Sequence, residues 1–376
     1  MIRRIQFGLS AVLVAALAAC GGGGSDTAPR TSVTTLRVMG DSLADVGTYG
    51  FKFTVQGNDL YAERVAQSYG LSKGCNFFAF TGTTFAPNAT AGCTNYAIGN
   101  SVINPASNAF TAADPRGLAV QFATATAVGN FAAGDLLLVD GGGNDASALV
   151  GAYLAAAKDG GASYLALLGT VLTPAQVSAA AGGGAAGLAA AGGTYMTALA
   201  DKFAAMIQTG ALDKGAQRIA LLNMPGITNT PRFQLVLDSI GSAAGAAARA
   251  QSEGLFKSWI VAFNTELAAK FAGNGKVAIV DFYTAFNDQI TSPAQFNLTN
   301  VKTPACPVTG VGTDGLPTYS FPTCTDASLA AAPPAGVTGT GWYKSYAFSD
   351  GFHPTPYGHQ LTAQLISRTL AQAGWL

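Results

Sequence analysis

The chain of 376 residues is long enough for one large domain or two small ones, and 49% of its residues are hydrophobic, so a sizeable core can be buried. Its 20 lysines and arginines balance its 20 aspartates and glutamates, which gives no electrostatic basis for a nucleic-acid partner. Neither an internal repeat nor a domain boundary is evident, so we expect one folded domain over residues 34–376.

The N-terminus has the pattern of an export signal, which we assign to residues 1–19. Two arginines precede an apolar run over residues 7–19 that is too short to span a bilayer permanently. The segment Leu17-Ala18-Ala19-Cys20 resembles the lipobox of bacterial lipoproteins. That resemblance implies an outer-membrane lipoprotein, periplasmic or at the cell surface, with lipid on Cys20 and a flexible tether over residues 20–33. The alternative is an ordinary signal peptide and a secreted protein.

Four cysteines remain once Cys20 is set aside, and an even number supports an exported, disulfide-bonded protein. We expect local pairs, Cys75 with Cys93 and Cys306 with Cys324, because each couple brackets one loop-like segment. Three pairings are possible in principle, and the sequence does not choose among them. A zinc site is disfavoured, since there is no C-x-x-C motif and the chain has only two histidines.

The first predicted strand, over residues 35–39, ends at Gly40-Asp41-Ser42-Leu43. We expect Ser42 to lie at the carboxyl end of this strand and near a helix N-terminus, where free backbone N–H groups stabilise negative charge. That is a suitable place for a nucleophile. The alternative is that Asp41 and Ser42 only form a turn or a helix cap.

Strands and helices alternate along the rest of the sequence. The later predicted strands are 95–100, 135–140, 218–223 and 277–281, and the predicted helices are 59–70, 117–128, 243–271 and 357–373, with glycine-interrupted helices over 146–210. This alternation is typical of a parallel sheet covered by helices. Residues from about 304 to 341, rich in Pro, Gly and Thr, are predicted as a long irregular insertion.

The two histidines limit the choice of a general base for acyl transfer. His353 follows Asp350 by three positions, so the Asp350 carboxylate can lie beside the imidazole and fix its tautomer. The alternative for Asp350 is a loop turn or a cap. His359 falls inside the last predicted helix, where we expect a packed or solvated side chain without a catalytic role.

Donors for a developing oxyanion follow other predicted strands. Asn144 can offer its side-chain N–H, and backbone N–H groups of Ser42 and of the turn at Gly99-Asn100 can supply the rest. The carboxyl ends of parallel strands share one edge of the sheet, where ligands bind. We therefore expect these groups to meet at one site.

Four ordered blocks of the sequence together resemble a GDSL esterase/lipase of the SGNH hydrolase superfamily. They are Gly40-Asp41-Ser42-Leu43, Asn95-Tyr96-Ala97-Ile98-Gly99-Asn100, Gly142-Gly143-Asn144-Asp145 and Asp350-Gly351-Phe352-His353. The resemblance covers nearly the whole chain after the tether. It implies a three-layer α/β/α sandwich around a flavodoxin-like, five-stranded parallel sheet in the order 2-1-3-4-5.

The resemblance also implies the roles of the site residues. Ser42 would be the nucleophile and an oxyanion donor, His353 the base, Asp350 its orienting partner and Asn144 the side-chain donor. The family usually has glycine as backbone donor at the position of Asn100. Asparagine tolerates left-handed backbone angles and keeps its N–H, so we still expect a donor there.

These observations predict a serine esterase or lipase that hydrolyses carboxylic esters through an acyl-enzyme intermediate, without a metal or other cofactor. The alternatives on the same scaffold are a phospholipase, an acyltransferase and a polysaccharide deacetylase. A non-catalytic surface lipoprotein that binds a ligand is the alternative from another class. The sequence indicates neither the acyl-chain length of the substrate nor the oligomeric state.

Overall fold

A computed structural model describes residues 32–376, in which strands and helices alternate along most of the chain. The strands are β1 (Thr35–Met39), β2 (Phe78–Phe80), β3 (Phe85–Pro87), β4 (Asp135–Val139), β5 (Ile219–Leu222), β6 (Val277–Val280), β7 (Val308–Val311) and β8 (Pro317–Tyr319). The α-helices are α1 (Tyr61–Ser68), α2 (Leu118–Thr126), α3 (Gly143–Asp159), α4 (Ala162–Leu168), α5 (Pro174–Gly182), α6 (Gly184–Gly210), α7 (Pro231–Lys270), α8 (Phe282–Thr291), α9 (Asp326–Ala331) and α10 (Pro356–Gln372). The predicted export signal and Cys20 lie outside the described residues.

The central sheet consists of four parallel strands in the order β1-β4-β5-β6. Successive side chains of a strand point to opposite faces, so Leu137 and Val139 enter one apolar cluster while Leu136 and Leu138 enter another. Helices α2 to α7 complete the first cluster, and helices α1, α8 and α10 complete the second. The predicted three-layer α/β/α sandwich is therefore confirmed. Within residues 32–376, no helix has the length and apolar character needed to cross a membrane.

The predicted number of five strands is wrong, because the segment 95–100 does not form a strand. It runs parallel to β1 but forms a single bridge with it, between Asn95 and Val38. The Asn95 side chain explains this: its Oδ1 accepts the Ala97 N–H at 3.0 Å, and its Nδ2 donates to the Ala44 carbonyl at 2.8 Å. A side chain that binds its own backbone competes with strand pairing.

In the described part of the chain no helix begins directly after Ser42, and the helix predicted over residues 59–70 is present as α1. The N–H groups of Ala44 and Asp45 donate to the Asp41 carbonyl, so the chain makes one turn, and the next helix begins only at Tyr61. The Asp45 carboxylate stops the turn from continuing, since it accepts the N–H groups of Gly47 and Thr48. Further along, α7 begins at Pro231, well before the predicted start, and is interrupted at Gly245, whose φ is 89°.

The insertion predicted as irregular contains ordered elements. Strands β7 and β8 form an antiparallel hairpin, and α9 follows it. A disulfide between Cys306 and Cys324 closes this segment, and a second one joins Cys75 to Cys93 across the β2-β3 region. Both expected local pairs are thus present, and they are consistent with an exported protein.

Candidate active site

Ser42 lies where the chain leaves the carboxyl end of β1. Asp140, at the end of the neighbouring strand, accepts the Asp41 N–H at 2.9 Å, and the Asp41 carboxylate accepts the Leu43 N–H at 3.0 Å. A Cβ at position 40 would collide with the Asp140 carboxylate, so the close approach of the two strand ends requires Gly40. These contacts fix the turn that presents the Ser42 side chain to a cleft.

A chain of hydrogen-bonded side chains joins Ser42 to Asp350 through His353. The imidazole Nε2 lies 2.8 Å from Ser42 Oγ, and Nδ1 lies 2.9 Å from each carboxylate oxygen of Asp350. Asp350, only 9% exposed, also accepts the backbone N–H groups of Phe352 and His353. The structure therefore brings together the three residues predicted to carry acyl transfer.

Asp350 is held in its charged form. Burial alone would raise the pKa of Asp350, but attraction to His353 and the hydrogen bonds from His353 and Phe352 lower it below the ordinary value of 3.8. A charged carboxylate beside Nδ1 favours the tautomer with its proton on Nδ1. In that tautomer Nε2 is free to accept the proton of the Ser42 hydroxyl.

Two backbone N–H groups at the cleft are available for an oxyanion. Within the described part of the chain, neither Ser42 N–H nor Asn100 N–H has a hydrogen-bond acceptor. Asn100 adopts the left-handed conformation with φ of 68°, which asparagine tolerates. The Gly99 N–H is already used, because it donates to Asp45 Oδ2 at 2.8 Å. Of the predicted Gly99-Asn100 turn, only Asn100 keeps a free donor.

Asn144 occupies the first turn of α3, directly after β4. Its Nδ2 donates one hydrogen to the Ser101 carbonyl at 2.9 Å, which leaves the second hydrogen for a ligand. Asn144 lines the same cleft as Ser42, Asn100 and His353. All five predicted site residues therefore lie at one edge of the sheet.

Three buried aspartates position these groups, and their roles were not predicted from the sequence. Asp140 holds the Asp41 N–H, Asp45 holds the Gly99 N–H, and Asp145 accepts the N–H groups of Ile103 and Asn104, both at 2.9 Å. A signal was present, because each aspartate stands inside or beside a motif in a chain with only 11% charged residues. A carboxylate buried in such surroundings needs several donors.

His359 lies away from this chemistry, as a fully buried side chain of α10. Its ring stacks on Tyr61 with centroids 6.0 Å apart, and its Nδ1 accepts the Tyr61 N–H at 3.4 Å. Burial lowers the pKa of His359 to about 3, so the imidazole is neutral at ordinary pH. It is a packed histidine of the helix.

Asp140 makes stability depend on pH. Burial raises the pKa of Asp140 from 3.8 to about 6, so between these values the folded chain binds a proton that the unfolded chain does not. The contribution of Asp140 to stability therefore falls as the pH rises through this range and is constant above it. Asp140→Asn keeps an acceptor for Asp41 N–H and a partner for the Tyr61 hydroxyl.

We expect Asp140→Asn to gain thermal stability relative to the wild type on going from about pH 4.5 to about pH 7, because the amide carries no charge. Thermal unfolding of both proteins at the two pH values measures this difference. If the melting temperatures of Asp140→Asn and the wild type differed by the same amount at both pH values, the assignment of the titration to Asp140 would be contradicted.

The site opens into a cleft of about 520 Å³. Aromatic residues of the segment 49–53 line one part of it, and residues at the start of α7 and at the end of the β7-β8 hairpin line another. A mostly apolar cleft with a few convergent polar groups is typical of a small-molecule site. The hydroxyl, the imidazole, the carboxylate and the free N–H donors are the groups that acyl transfer requires.

Comparison with known proteins agrees with this geometry. No individually curated protein matches the sequence. The family described as GDSL-like lipase/acylhydrolase matches residues 36–366, which include every predicted site residue from Ser42 to His353. The chain therefore belongs to the GDSL-like lipase/acylhydrolase family of the SGNH hydrolase superfamily, and it is a hydrolase that acts on esters.

Proposed function

We propose that the protein is a serine esterase that hydrolyses carboxylic esters through an acyl-enzyme intermediate. The observation that carries this proposal is the hydrogen-bonded line from Asp350 through His353 Nδ1 and Nε2 to Ser42 Oγ, with distances of 2.9 and 2.8 Å. A serine hydroxyl becomes an effective nucleophile only when an adjacent base can take its proton, and this line supplies the base and its orienting group.

In the proposed reaction, Ser42 Oγ attacks the ester carbonyl carbon while His353 Nε2 takes the hydroxyl proton. The oxyanion then accepts hydrogen bonds from the N–H groups of Ser42 and Asn100 and from Asn144 Nδ2. Asp350 stabilises the imidazolium, which gives its proton to the leaving alcohol. Water, activated by the same imidazole, releases the acid and restores the Ser42 hydroxyl.

A graded series of acyl esters tests this function and narrows the substrate. The series includes a phospholipid and an acetylated sugar, because a phospholipase and a polysaccharide deacetylase are alternatives on the same scaffold. We expect acid release from short acyl esters, since the cleft of about 520 Å³ is of small-molecule size. Absence of hydrolysis across the whole series would favour a non-catalytic surface protein instead.

Asn144→Ala is expected to lower kcat by about 10²- to 10³-fold with little change in KM, because an oxyanion donor acts mainly in the transition state. Steady-state kinetics on a short acyl ester measure both constants. Asn88→Ala is the matched control, since Asn88 Nδ2 also donates to a backbone carbonyl, that of Asn76 at 3.0 Å, but Asn88 does not line the cleft. An unchanged kcat in Asn144→Ala would remove this residue from the oxyanion site.

We also propose that the protein is exported and held at the outer membrane by lipid on Cys20, with a signal at residues 1–19 and a tether at 20–33. The lipobox-like segment supports the anchor, and the two disulfides are consistent with export. Mass spectrometry of the mature N-terminus tests it. We expect a chain that begins at lipid-modified Cys20, and an unmodified N-terminus at another residue would contradict the anchor.

A further inference from the structure

Aromatic rings line one side of the cleft in an unbroken series that begins at His353. The Phe53 ring lies with its centroid 5.1 Å from the imidazole, Phe51 lies 5.3 Å from Phe53, and Tyr49 lies 6.1 Å from Phe51. All three rings are half-buried and line the cleft. The catalytic imidazole is thus continuous with an apolar, ring-built surface.

This surface is held in place by the residues behind it. The buried Phe321 ring contacts Phe51 at 6.1 Å and Phe53 at 5.4 Å between centroids. The Tyr49 hydroxyl donates to the Gly99 carbonyl at 3.2 Å, and a Cβ at position 99 would overlap the Phe53 ring. The rings are therefore positioned before any ligand arrives, which lowers the entropic cost of binding.

Because the series of aromatic rings begins at His353, we expect it to lie beside the alcohol part of a bound ester. In the proposed reaction the leaving oxygen receives its proton from His353 Nε2 and must come within hydrogen-bond reach of that atom. The first carbons of the alcohol then lie beside the imidazole. Of the two phenylalanine rings that line the cleft and contact this imidazole, Phe53 at 5.1 Å lies nearer than Phe352 at 5.9 Å between centroids. The carbonyl oxygen lies toward the N–H donors of Ser42, Asn100 and Asn144.

We propose that Tyr49, Phe51 and Phe53 form a binding subsite for an aromatic alcohol, so that the preferred substrates are esters of alcohols with a planar ring. This inference rests on the proposed esterase function. A planar ring stacks on or meets the edges of these rings and gains more than a saturated group of equal size gains from burial alone.

Two esters that differ only in the planarity of the alcohol test the subsite. Benzyl acetate and cyclohexylmethyl acetate have the same carbon framework, and each enzymatic rate is divided by the alkaline hydrolysis rate of the same ester. We expect kcat/KM to be about two- to tenfold higher for the benzyl ester, the effect of one good aromatic contact. Equal values would overturn the subsite and leave the esterase function standing, whereas no hydrolysis of either ester or of ethyl acetate would overturn both.

A second pair of esters places the ring in the acid instead. Methyl phenylacetate and methyl cyclohexylacetate carry the same two groups on the acyl side of the carbonyl. We expect nearly equal values of kcat/KM for this pair. An aromatic preference here, in place of one for the benzyl alcohol, would overturn the assignment of the ring series to the alcohol.

Substitution of Phe51 tests whether the preference for the benzyl ester comes from the surface formed by Tyr49, Phe51 and Phe53. Phe51→Leu keeps an apolar side chain but removes the ring, so we expect the benzyl preference, the ratio of kcat/KM for benzyl acetate to that for cyclohexylmethyl acetate, to fall toward one. Phe51→Tyr restores a planar ring and should restore the preference. Phe77→Leu is the matched control, because Phe77 is also half-buried between two rings, Phe78 and Tyr96, but does not line the cleft. An unchanged preference in Phe51→Leu would contradict the proposal.

Discussion

Ser42→Ala is expected to lower kcat/KM for a short acyl ester by about 10⁴- to 10⁶-fold, because the nucleophile of the proposed reaction is lost and no other group can form the acyl-enzyme. Ser42 is 7% exposed, and its Oγ has one hydrogen bond within residues 32–376, to His353 Nε2 at 2.8 Å. Removing one oxygen should therefore leave the melting temperature close to that of the wild type. Initial rates and thermal unfolding on the same preparation measure both effects.

The control for this substitution is a second serine of the cleft. Ser147 lies one turn along α3 from Asn144 and lines the same cleft, but within residues 32–376 neither histidine forms a hydrogen bond to it. Ser147→Ala should therefore hydrolyse the ester at close to the wild-type rate. Full activity in Ser42→Ala with a loss in Ser147→Ala would reverse the assignment of the nucleophile.

Asp350→Asn is expected to lower kcat by about 10⁴-fold, the effect of holding the base in the wrong tautomer. The amide nitrogen of asparagine donates to Nδ1, which drives the imidazole proton to Nε2, so Ser42 Oγ meets an N–H in place of a lone pair. Asp159→Asn is the matched control. Asp159 also accepts two backbone N–H groups, those of Gly161 and Ser163, but does not line the cleft. Retention of most of the activity in Asp350→Asn would contradict the role of Asp350.

The low pKa of the Asp350 carboxylate also bears on how the activity and the stability of the wild type depend on pH. The pKa of Asp350 is lowered below 3.8, so its charge and its contribution to stability are fully present above that value and are lost only as the pH falls through the folded pKa. Activity measured above about pH 5 should therefore show no loss that comes from protonation of Asp350.

The strands that build the sheet could be predicted from the sequence because buried parallel strands are continuous apolar runs. Strand β1 has the predicted bounds although it includes the partly exposed Arg37, whereas β5 and the part of β4 after Asp135 are apolar and buried throughout. The segment 95–100 contains only a short apolar run, Tyr96-Ala97-Ile98, and does not form a strand, since the Asn95 side chain binds the Ala97 N–H. An asparagine side chain can make several alternative local hydrogen bonds, and only the folded surroundings determine which one forms.

The candidate site could be predicted only in part, because some of its contacts are local in sequence and others depend on the whole fold. Asp350 and His353 are three residues apart, so their contact needs little of the fold, whereas Ser42 and His353 are separated by 311 residues and meet only through the sheet. The sequence could not tell which N–H of the Gly99-Asn100 turn is free. Asp45 takes the one at Gly99 from a distance of 54 residues along the chain.

The most direct test of Ser42 as nucleophile is reaction of the intact protein with a fluorophosphonate, followed by mass mapping of the modified peptide. A fluorophosphonate reacts with a serine that an adjacent base has activated. We expect one adduct per chain, on Ser42, formed in proportion to the loss of ester hydrolysis. An adduct on another serine, or an unlabelled Ser42 in protein whose activity the reagent has abolished, would contradict the proposed mechanism.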